Sequence, residues 1–193
     1  MKTYRVLLMV AFVVALSATV SLGTLLTFDE LPVEEEYGTP IPAGYGEFDW
    51  SDFRYHPGIS AGYKNGMVTE PHVAYNFGEN PAMLADGKFD FVGAYFAGAW
   101  NDDLNIKVEG LVDDVIEYSE TIVVSYHEPT WHSFEFIGID ELKFTSFGGH
   151  DADPGDLGTG HHFVMDNFTF VPEPATLSLL SPAGLAMLRK RRS

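Results

Sequence analysis

Apolar and polar residues alternate along most of the middle of this chain. In the segment 88–96, Phe89, Phe91 and Tyr95 fall on one face of an extended strand. The same two-residue period recurs in three later segments, 116–124, 133–136 and 142–144. A strand with one face toward a core needs this alternation. No stretch of the middle keeps a helical period over ten residues, so the pattern predicts strands throughout.

Turn-forming residues separate these segments, and each group favours a tight reversal of the chain. The groups are Asn101-Asp102-Asp103, Asp113-Asp114, Glu128-Pro129 and Gly148-Gly149. Short strands joined by frequent turns are typical of two packed antiparallel sheets. We therefore predict an all-β fold over residues 24–171, a single jelly-roll-like antiparallel β-sandwich with eight or nine strands.

The first 23 residues have the composition of a secretory signal peptide. Lys2 and Arg5 precede the apolar run 6–16, and the small residues of Ser21-Leu22-Gly23 offer a cleavage site. This order of a basic, an apolar and a small-residue region is typical of export signals. We predict a signal helix over 1–23, with an uncleaved membrane anchor as the alternative.

The last 22 residues, 172–193, form a second segment separate from the body. Pro172 and Pro174 interrupt regular structure, and the apolar run 177–188 follows them. Four cations close the chain: Arg189, Lys190, Arg191 and Arg192. The apolar run is shorter than the about 20 residues of a full membrane span, although the basic side chains extend its reach. We predict a hydrophobic, transmembrane-type helix here that anchors the protein transiently.

In this order, Pro172-Glu173-Pro174, the apolar run and the basic cluster resemble the PEP-CTERM sorting signal of Gram-negative bacteria that make exopolysaccharide. The resemblance implies export across the inner membrane and recognition by an exosortase-type enzyme. It also implies removal of the tail near the Pro-Glu-Pro motif. Pro182 departs from the pattern, because it should kink the helix.

The charge of the chain lies mainly in its middle. Outside the two terminal segments only Arg54, Lys64, Lys88, Lys107 and Lys143 are basic, against 27 of the 28 acidic residues, so this part has a formal charge near 5 − 27 = −22. Such a surface repels nucleic acids and anionic lipids and favours cations. The chain has no cysteine, which excludes disulfides and thiol chemistry.

Several short motifs of the middle resemble the β-sandwich body of many PEP-CTERM proteins, which is similar to galactose-binding-like jelly rolls and carbohydrate-binding modules. These motifs are Asn65-Gly66, the segments 71–76, 89–91 and 99–102, and finally 165–169. The resemblance implies a structural calcium ion between the first and the last strand.

Three acidic residues are candidates for that calcium site. The two-residue period places Asp166 in one row with Val164 and Phe168, which we expect to face the core. A buried carboxylate needs a cation or hydrogen-bond donors, and calcium prefers oxygen ligands. Asp29 and Glu30 stand where a first strand should end. The alternative is that Asp166 accepts hydrogen bonds from backbone amides at a strand end.

The segment 150–162 contains three histidines and several aspartates. Pro154 and the lack of a glutamate at the twelfth position break the EF-hand pattern, and the spacing of His150, His161 and His162 matches no standard zinc site. We interpret the segment as a flexible polar loop whose carbonyls are within reach of the proposed calcium.

No hydrolase, phosphate-binding or dinucleotide motif occurs in the chain. Adjacent aspartates such as Asp102 and Asp103 should point apart, so no glycosidase pair is identified. Flat aromatic rings near loops could instead stack on sugars. Trp100, Trp131 and Tyr55 are the candidates for glycan binding, with core packing as the alternative for each.

We therefore predict a secreted, non-enzymatic bacterial protein of the cell surface or extracellular matrix, processed by an exosortase-type system. It would associate with exopolysaccharide and biofilm and would bind a structural calcium ion. The predicted partners are the processing enzyme, exopolysaccharide and, transiently, the inner membrane. The alternative function is a secreted hydrolase that acts on polysaccharide.

Overall fold

The computed structural model describes residues 23–32, 38–59, 61–78, 81–153, 158 and 160–173. The predicted signal helix and all of the sorting segment beyond Glu173 lie outside these residues. Gly23–Glu173 forms one compact unit. In the part of the chain that is described, no helix has the length and apolarity to cross a membrane.

Twelve strands and one short helix make up the described residues. The first strands are β1 (Thr24–Leu26), β2 (Thr39–Pro40), β3 (Phe48–Ser51), β4 (Phe53–His56) and β5 (Val73–Asn76), with helix α1 (Ala61–Asn65) between β4 and β5. The remaining strands are β6 (Ala82–Gly98), β7 (Asn101–Asp102), β8 (Leu104–Val112), β9 (Val115–Val124), β10 (Thr130–Phe147), β11 (His150–Asp151) and β12 (Phe163–Pro172).

Every strand pairing is antiparallel. The main hydrogen-bonded order is β2-β4-β5-β12-β6-β10-β8-β9, with β1 beside β12 and β3 beside β6. β7 and β11 form a separate two-stranded ladder. The two long strands β6 and β10 pair with each other along both halves, and register shifts interrupt this pairing. Shifts of this kind bend strands, so β6 and β10 take part in both layers of a sandwich.

The predicted antiparallel β-sandwich is thus confirmed, but the described residues form twelve strands where eight or nine were predicted, because several strands are only two to four residues long. Its core is unusually rich in phenylalanine. The fully buried phenylalanines are Phe28, Phe48, Phe53, Phe89, Phe91, Phe96, Phe144, Phe163 and Phe168. Phe91 stacks on Phe168 across the ladder, with ring centroids 4.8 Å apart. Each such ring contributes about 1.5–3 kcal/mol of burial energy, which makes this aromatic layer the main source of stability.

A bulge in β12 changes which side chains face this core. Asn167 has a positive φ of 53°, and the pairing with β6 shifts register after Asp166. Consequently Met165 and Phe168 face the main core, whereas Val164 and Asp166 face the other side of the sheet. The expectation that Asp166 shares a core row with Phe168 is therefore wrong. An uninterrupted period of two does not allow for the extra residue.

Strand β6 also has an extra residue, next to Gly93, after which the other set of alternate side chains faces the core. Phe89 and Phe91 are core residues, as the sequence predicts, but Ala94 and Phe96 continue the core face after Gly93. Tyr95 is only partly buried and lies opposite Asp166 and Trp131 in the register of the sheet. Tyr95 therefore does not share the face of Phe89 and Phe91.

A second apolar cluster covers part of the outer face of the sheet. It consists of Tyr63, Val73, Tyr75, Ala99 and Val164, with Met67 and Trp100 packed against it. Helix α1 can approach the sheet closely because Gly62 has no side chain: a Cβ there would collide with the backbone of Ala99. This cluster fixes the segment after α1 above β12.

Candidate functional site

The carboxylate of Asp166 is fully buried beneath the segment that follows α1. Its Oδ2 accepts hydrogen bonds from the backbone N–H groups of Val68 at 2.7 Å and Thr69 at 2.9 Å. Its Oδ1 accepts from the Asn167 N–H at 2.7 Å and, more weakly, from the Thr69 hydroxyl at 3.4 Å. Asp166 therefore ties the segment over the sheet to the last strand.

Burial is the main cause that raises the pKa of Asp166, to about 6. The three backbone amide donors lower the pKa and so limit the shift, while the negative charge of Asp29 raises it further. Asp29 and Asp166 are thus electrostatic neighbours, and neither carboxylate forms an ion pair with any residue that the structure describes.

The two other predicted calcium ligands have hydrogen-bond partners of their own. Asp29 Oδ1 accepts the His72 backbone N–H at 3.2 Å, and Glu30 Oε1 accepts the Tyr45 hydroxyl at 2.8 Å. Backbone amides, which cannot ligate calcium, surround Asp166 in place of carbonyl oxygens. The present geometry of Asp29, Glu30 and Asp166 does not form a calcium cage, and calcium at these residues remains a prediction.

Trp131 lies on the outer face of the sheet, on the side opposite the main core. It is 38% exposed and contacts Tyr95 of the neighbouring strand edge-to-face, with ring centroids 5.4 Å apart. The benzene part of the indole covers Gly93, where an added Cβ would lie 2.8 Å from Trp131 Cζ2. Gly93 therefore leaves room for the indole against the sheet.

The two other aromatic candidates are less accessible. Tyr55 is only 3% exposed, and its hydroxyl donates to the Pro32 carbonyl oxygen at 2.9 Å. It belongs to the core, so its ring offers no surface for a sugar. Trp100 is half-buried against Tyr63, and Gly158 lies directly on its indole. Of the three predicted glycan-binding residues, the structure places Trp131 alone in an open position.

A cleft of about 470 Å³ opens where three chain segments meet, at the ends of β5 and β10 and just before the start of β12. Sequence reasoning did not identify it, because its parts are distant in sequence. It is lined by Asn76, Phe77, Gly78, Thr145, Ser146, His161 and His162.

Asn76 cross-links the walls of this cleft. Its buried side chain donates to Ser146 Oγ at 3.0 Å and to the His161 carbonyl oxygen at 3.4 Å. Its Oδ1 accepts the Phe163 backbone N–H at 2.7 Å. The Ser146 hydroxyl also donates to the His161 carbonyl oxygen. One amide thus joins all three segments, so the cleft is held in shape before any ligand arrives.

His162 is held by a hydrogen bond to the outer apolar cluster. The Tyr63 hydroxyl lies 3.1 Å from His162 Nδ1, and Tyr63 contacts Trp100 edge-to-face with ring centroids 5.4 Å apart. Burial is the main cause that raises the Tyr63 pKa, so the phenol keeps its proton. The contact with Tyr63 occupies Nδ1 of the His162 imidazole.

The ladder of β7 and β11 brings together an exposed group that the sequence did not predict. Ligand atoms of Asp102, Asp103 and His150 lie within 4.8 Å of one another, and within the described ranges no other such group of three occurs. Asp102 Oδ1 also accepts hydrogen bonds from Ser125 Oγ and the Tyr126 N–H, each at 2.9 Å. The Tyr126 amide is the main reason that the Asp102 pKa is lowered.

Two residues of the predicted sorting motif are described. Strand β12 extends through Pro172, one residue beyond the expected end of the body, and the Glu173 N–H donates to the Lys88 carbonyl oxygen at 3.0 Å. Pro174, Arg189, Lys190, Arg191 and Arg192 lie outside the described residues.

Comparison with known proteins gives a fold and no family. No family model matches the chain, and no curated protein does. A DUF4465 family protein from Bacteroides caccae ATCC 43185 is similar, with a TM-score of 0.56 and 11% identity over 79% of this chain and 100% of that chain. A DUF4465 family protein from Bacteroides ovatus ATCC 8483 has a TM-score of 0.48 and 12% identity, over 79% and 95% of the two chains.

A third similar structure is TmCBM61 in complex with beta-1,4-galactotriose. Its TM-score is 0.36, with 12% identity over 68% of this chain and 95% of that chain. At 11% identity the likeness to the Bacteroides caccae protein concerns the fold alone. The chain is therefore similar to that DUF4465 family protein in its antiparallel β-sandwich.

Proposed function

We propose that this chain is an exported, non-enzymatic surface or matrix protein that associates with glycans through its outer sheet face. The observation that supports this most directly is the open position of Trp131, which packs edge-to-face on Tyr95. The two rings come from neighbouring strands, so the sheet holds them in a fixed relation.

An aromatic ring on a rigid strand is suited to sugar binding. The apolar face of a pyranose stacks on such a ring, and little side-chain entropy is lost because the indole is already packed. Trp131 has its indole against Gly93 on one side and 38% of its surface in solvent. A neutral or weakly charged polysaccharide fits this surface better than a polyanion, because the protein itself carries a formal charge of −17.

The export part of the proposal rests on the terminal segments. The region 1–23 has the composition of a signal peptide, and the end of the chain resembles a PEP-CTERM sorting signal. Cleavage at both ends by a signal peptidase and an exosortase-type enzyme would release the sandwich to the matrix. Mass spectrometry of the protein recovered from its producing cells tests this: an intact chain in the cytosol would contradict it.

Glycan binding can be tested by affinity electrophoresis of the full-length protein in gels that contain soluble neutral polysaccharides. We expect retardation that Trp131→Ala reduces about tenfold or more, since an aromatic anchor contributes on the order of 1.4 kcal/mol or above. Phe147→Ala is the matched control, because Phe147 is 46% exposed but lies at the other end of β10. Equal retardation of both variants would contradict a Trp131 site, and release of shorter sugars would contradict a non-enzymatic role.

A further inference from the structure

We propose that the cleft whose walls Asn76 cross-links is a second binding site. It binds one or two sugar rings at the end of a neutral saccharide. This inference rests on the proposed function, since it takes the ligand to be a saccharide, but it concerns a different surface. The cleft shares no lining residue with the pair of Trp131 and Tyr95.

The size and rigidity of the cleft fit a small polar ligand. Its volume of about 470 Å³ lies within the range of about 300–1,000 Å³ in which small-molecule sites are found. The hydrogen bonds of Asn76 and Ser146 are used up within the walls, so these residues give shape rather than contacts. A preformed site loses less entropy when a ligand binds.

Phe77 supplies the apolar surface of the site. Its ring is 51% exposed, and the Arg54 guanidinium lies over one face with Cζ 3.7 Å from the ring centroid. Arg54 is itself held by the Gly38 carbonyl oxygen at 3.3 Å and by the Tyr75 hydroxyl. The cation therefore fixes the ring from one side, and the opposite face is the one left for a sugar ring.

His162 supplies a polar ring in the wall of the cleft. Its Nδ1 is occupied by the Tyr63 hydroxyl at 3.1 Å. Burial is the main cause that lowers the His162 pKa, and the neighbouring His161 lowers it further, so the imidazole is neutral at neutral pH. A sugar hydroxyl both donates and accepts, so it can bond Nε2 in either neutral tautomer, while Thr145 and the exposed ring of His161 complete the polar lining.

The charge around the cleft favours an uncharged ligand. None of the seven described lining residues is acidic, although the whole chain has 28 acidic residues against 11 basic ones. Arg54 lies over Phe77 and Asp52 lies close to Gly78, so the described surroundings hold one charge of each sign. With a neutral His162, the described lining itself carries no charged side chain that would attract a uronate or a phosphate. A neutral sugar, with an apolar face and several hydroxyls, matches the lining.

The test is a titration of the full-length chain in a zwitterionic detergent, followed by amide NMR. The probes are lactose, cellobiose and chitobiose, with glucuronic acid as the anionic comparison, each up to about 10 mM so that a dissociation constant of about 1 mM is detected. We expect one neutral probe to shift the amide signals of Phe77, Gly78, Thr145 and Ser146. Phe77→Ala should weaken this binding about tenfold. Val115→Ala should leave it unchanged, because Val115 is 58% exposed at the start of β9 and does not line the cleft.

Three results would overturn the inference. Shifts confined to Trp131 and Tyr95 would remove the cleft site but leave the proposed function standing. The absence of shifts with all neutral probes, in a protein that polysaccharide gels still retard, would do the same. Tighter binding of glucuronic acid than of any neutral sugar would show that the ligand class is wrong. Failure of the proposed function itself is distinct: it would show as a lack of retardation in every polysaccharide gel.

Discussion

The buried carboxylate of Asp166 should make the sandwich less stable as the pH rises from about 4 to about 6. Its pKa is about 6 in the folded protein, against an ordinary value of 3.8. Between these two values the folded state keeps the proton and the unfolded state releases it. Stability therefore falls as the pH rises through this window, and it is constant with respect to this group above and below it.

The magnitude follows from the size of the shift. About 2 pH units at about 1.4 kcal/mol per unit correspond to about 3 kcal/mol of unfolding free energy. The cause is physical: burial disfavours the charged form more than the amides of Val68, Thr69 and Asn167 favour it, and the charge of Asp29 adds to the penalty.

The assay compares urea unfolding of the wild type and Asp166→Asn between pH 4 and pH 8. The asparagine cannot ionise, so the difference in stability between the two proteins reports the titration of this carboxyl alone. Other groups cancel in the difference; they include Asp102, whose lowered pKa makes its contribution to stability rise with pH. Asparagine also faces amide donors with its own NH₂ group, which adds a constant loss of stability. Asp29→Asn serves as a second variant and should reduce the slope by lowering the Asp166 pKa.

A difference between wild type and Asp166→Asn that does not change with pH would refute this reasoning. So would a wild type that gains stability between pH 4 and pH 6 relative to the variant. Either result would mean that the carboxylate stays ionised in the fold, as expected if a bound cation compensates its charge.

Further predictions concern the predicted ion, the cleft and the core. If calcium binds at Asp166, about 1 mM calcium should raise the melting temperature of chelator-treated wild type but not of Asp166→Asn; equal melting curves with and without the ion would withdraw the site. Asn76→Ala should cost about 2–3 kcal/mol in urea unfolding, because it leaves the Phe163 N–H without its acceptor; a loss below about 0.5 kcal/mol would contradict the bridging role. Phe91→Ala should cost about 3–5 kcal/mol, whereas Val123→Ala on the exposed side of β9 should change stability little.

The sandwich could be predicted because its strands and turns are indicated by residues that are close together in the sequence: apolar and polar residues alternate in the strands, and turn-forming residues separate them. Phe89 and Phe91 face the core, and the Asp113-Asp114 turn joins β8 to β9 as the sequence indicates. Both aspartates of that turn have positive φ, which short polar residues tolerate better than branched ones. Such features depend on near neighbours alone.

The side of the sheet on which Tyr95 and Asp166 lie could not be predicted, because it depends on residues that are distant in the sequence. The bulges at Gly93 and Asn167 each shift the period by one residue, and a bulge depends on pairing with a distant strand. The alternative noted for Asp166, acceptance of backbone amides, agrees with the hydrogen bonds found. The source of those amides, a segment nearly 100 residues earlier, has no signature near Asp166.

The candidate sites show the same limit. Trp131 was predicted to lie in a loop; it lies instead near the start of strand β10, but its ring is open as predicted. Tyr55 was not distinguishable from it by sequence, because its burial depends on how β4 packs. The cleft depends on Asn76, Ser146 and His161 meeting across three segments, and no spacing within the chain indicates this.

The pairing of β1 with β12 has a consequence for engineering. Thr24 lies opposite Phe170, so the first strand begins beside the final residues of the last strand. A short linker could join these two positions, and new ends could be opened in an exposed turn such as Asp113-Asp114. A circularly permuted sandwich would keep every strand pairing. Its new ends would lie in the turn between β8 and β9, and a linker would join its original ends.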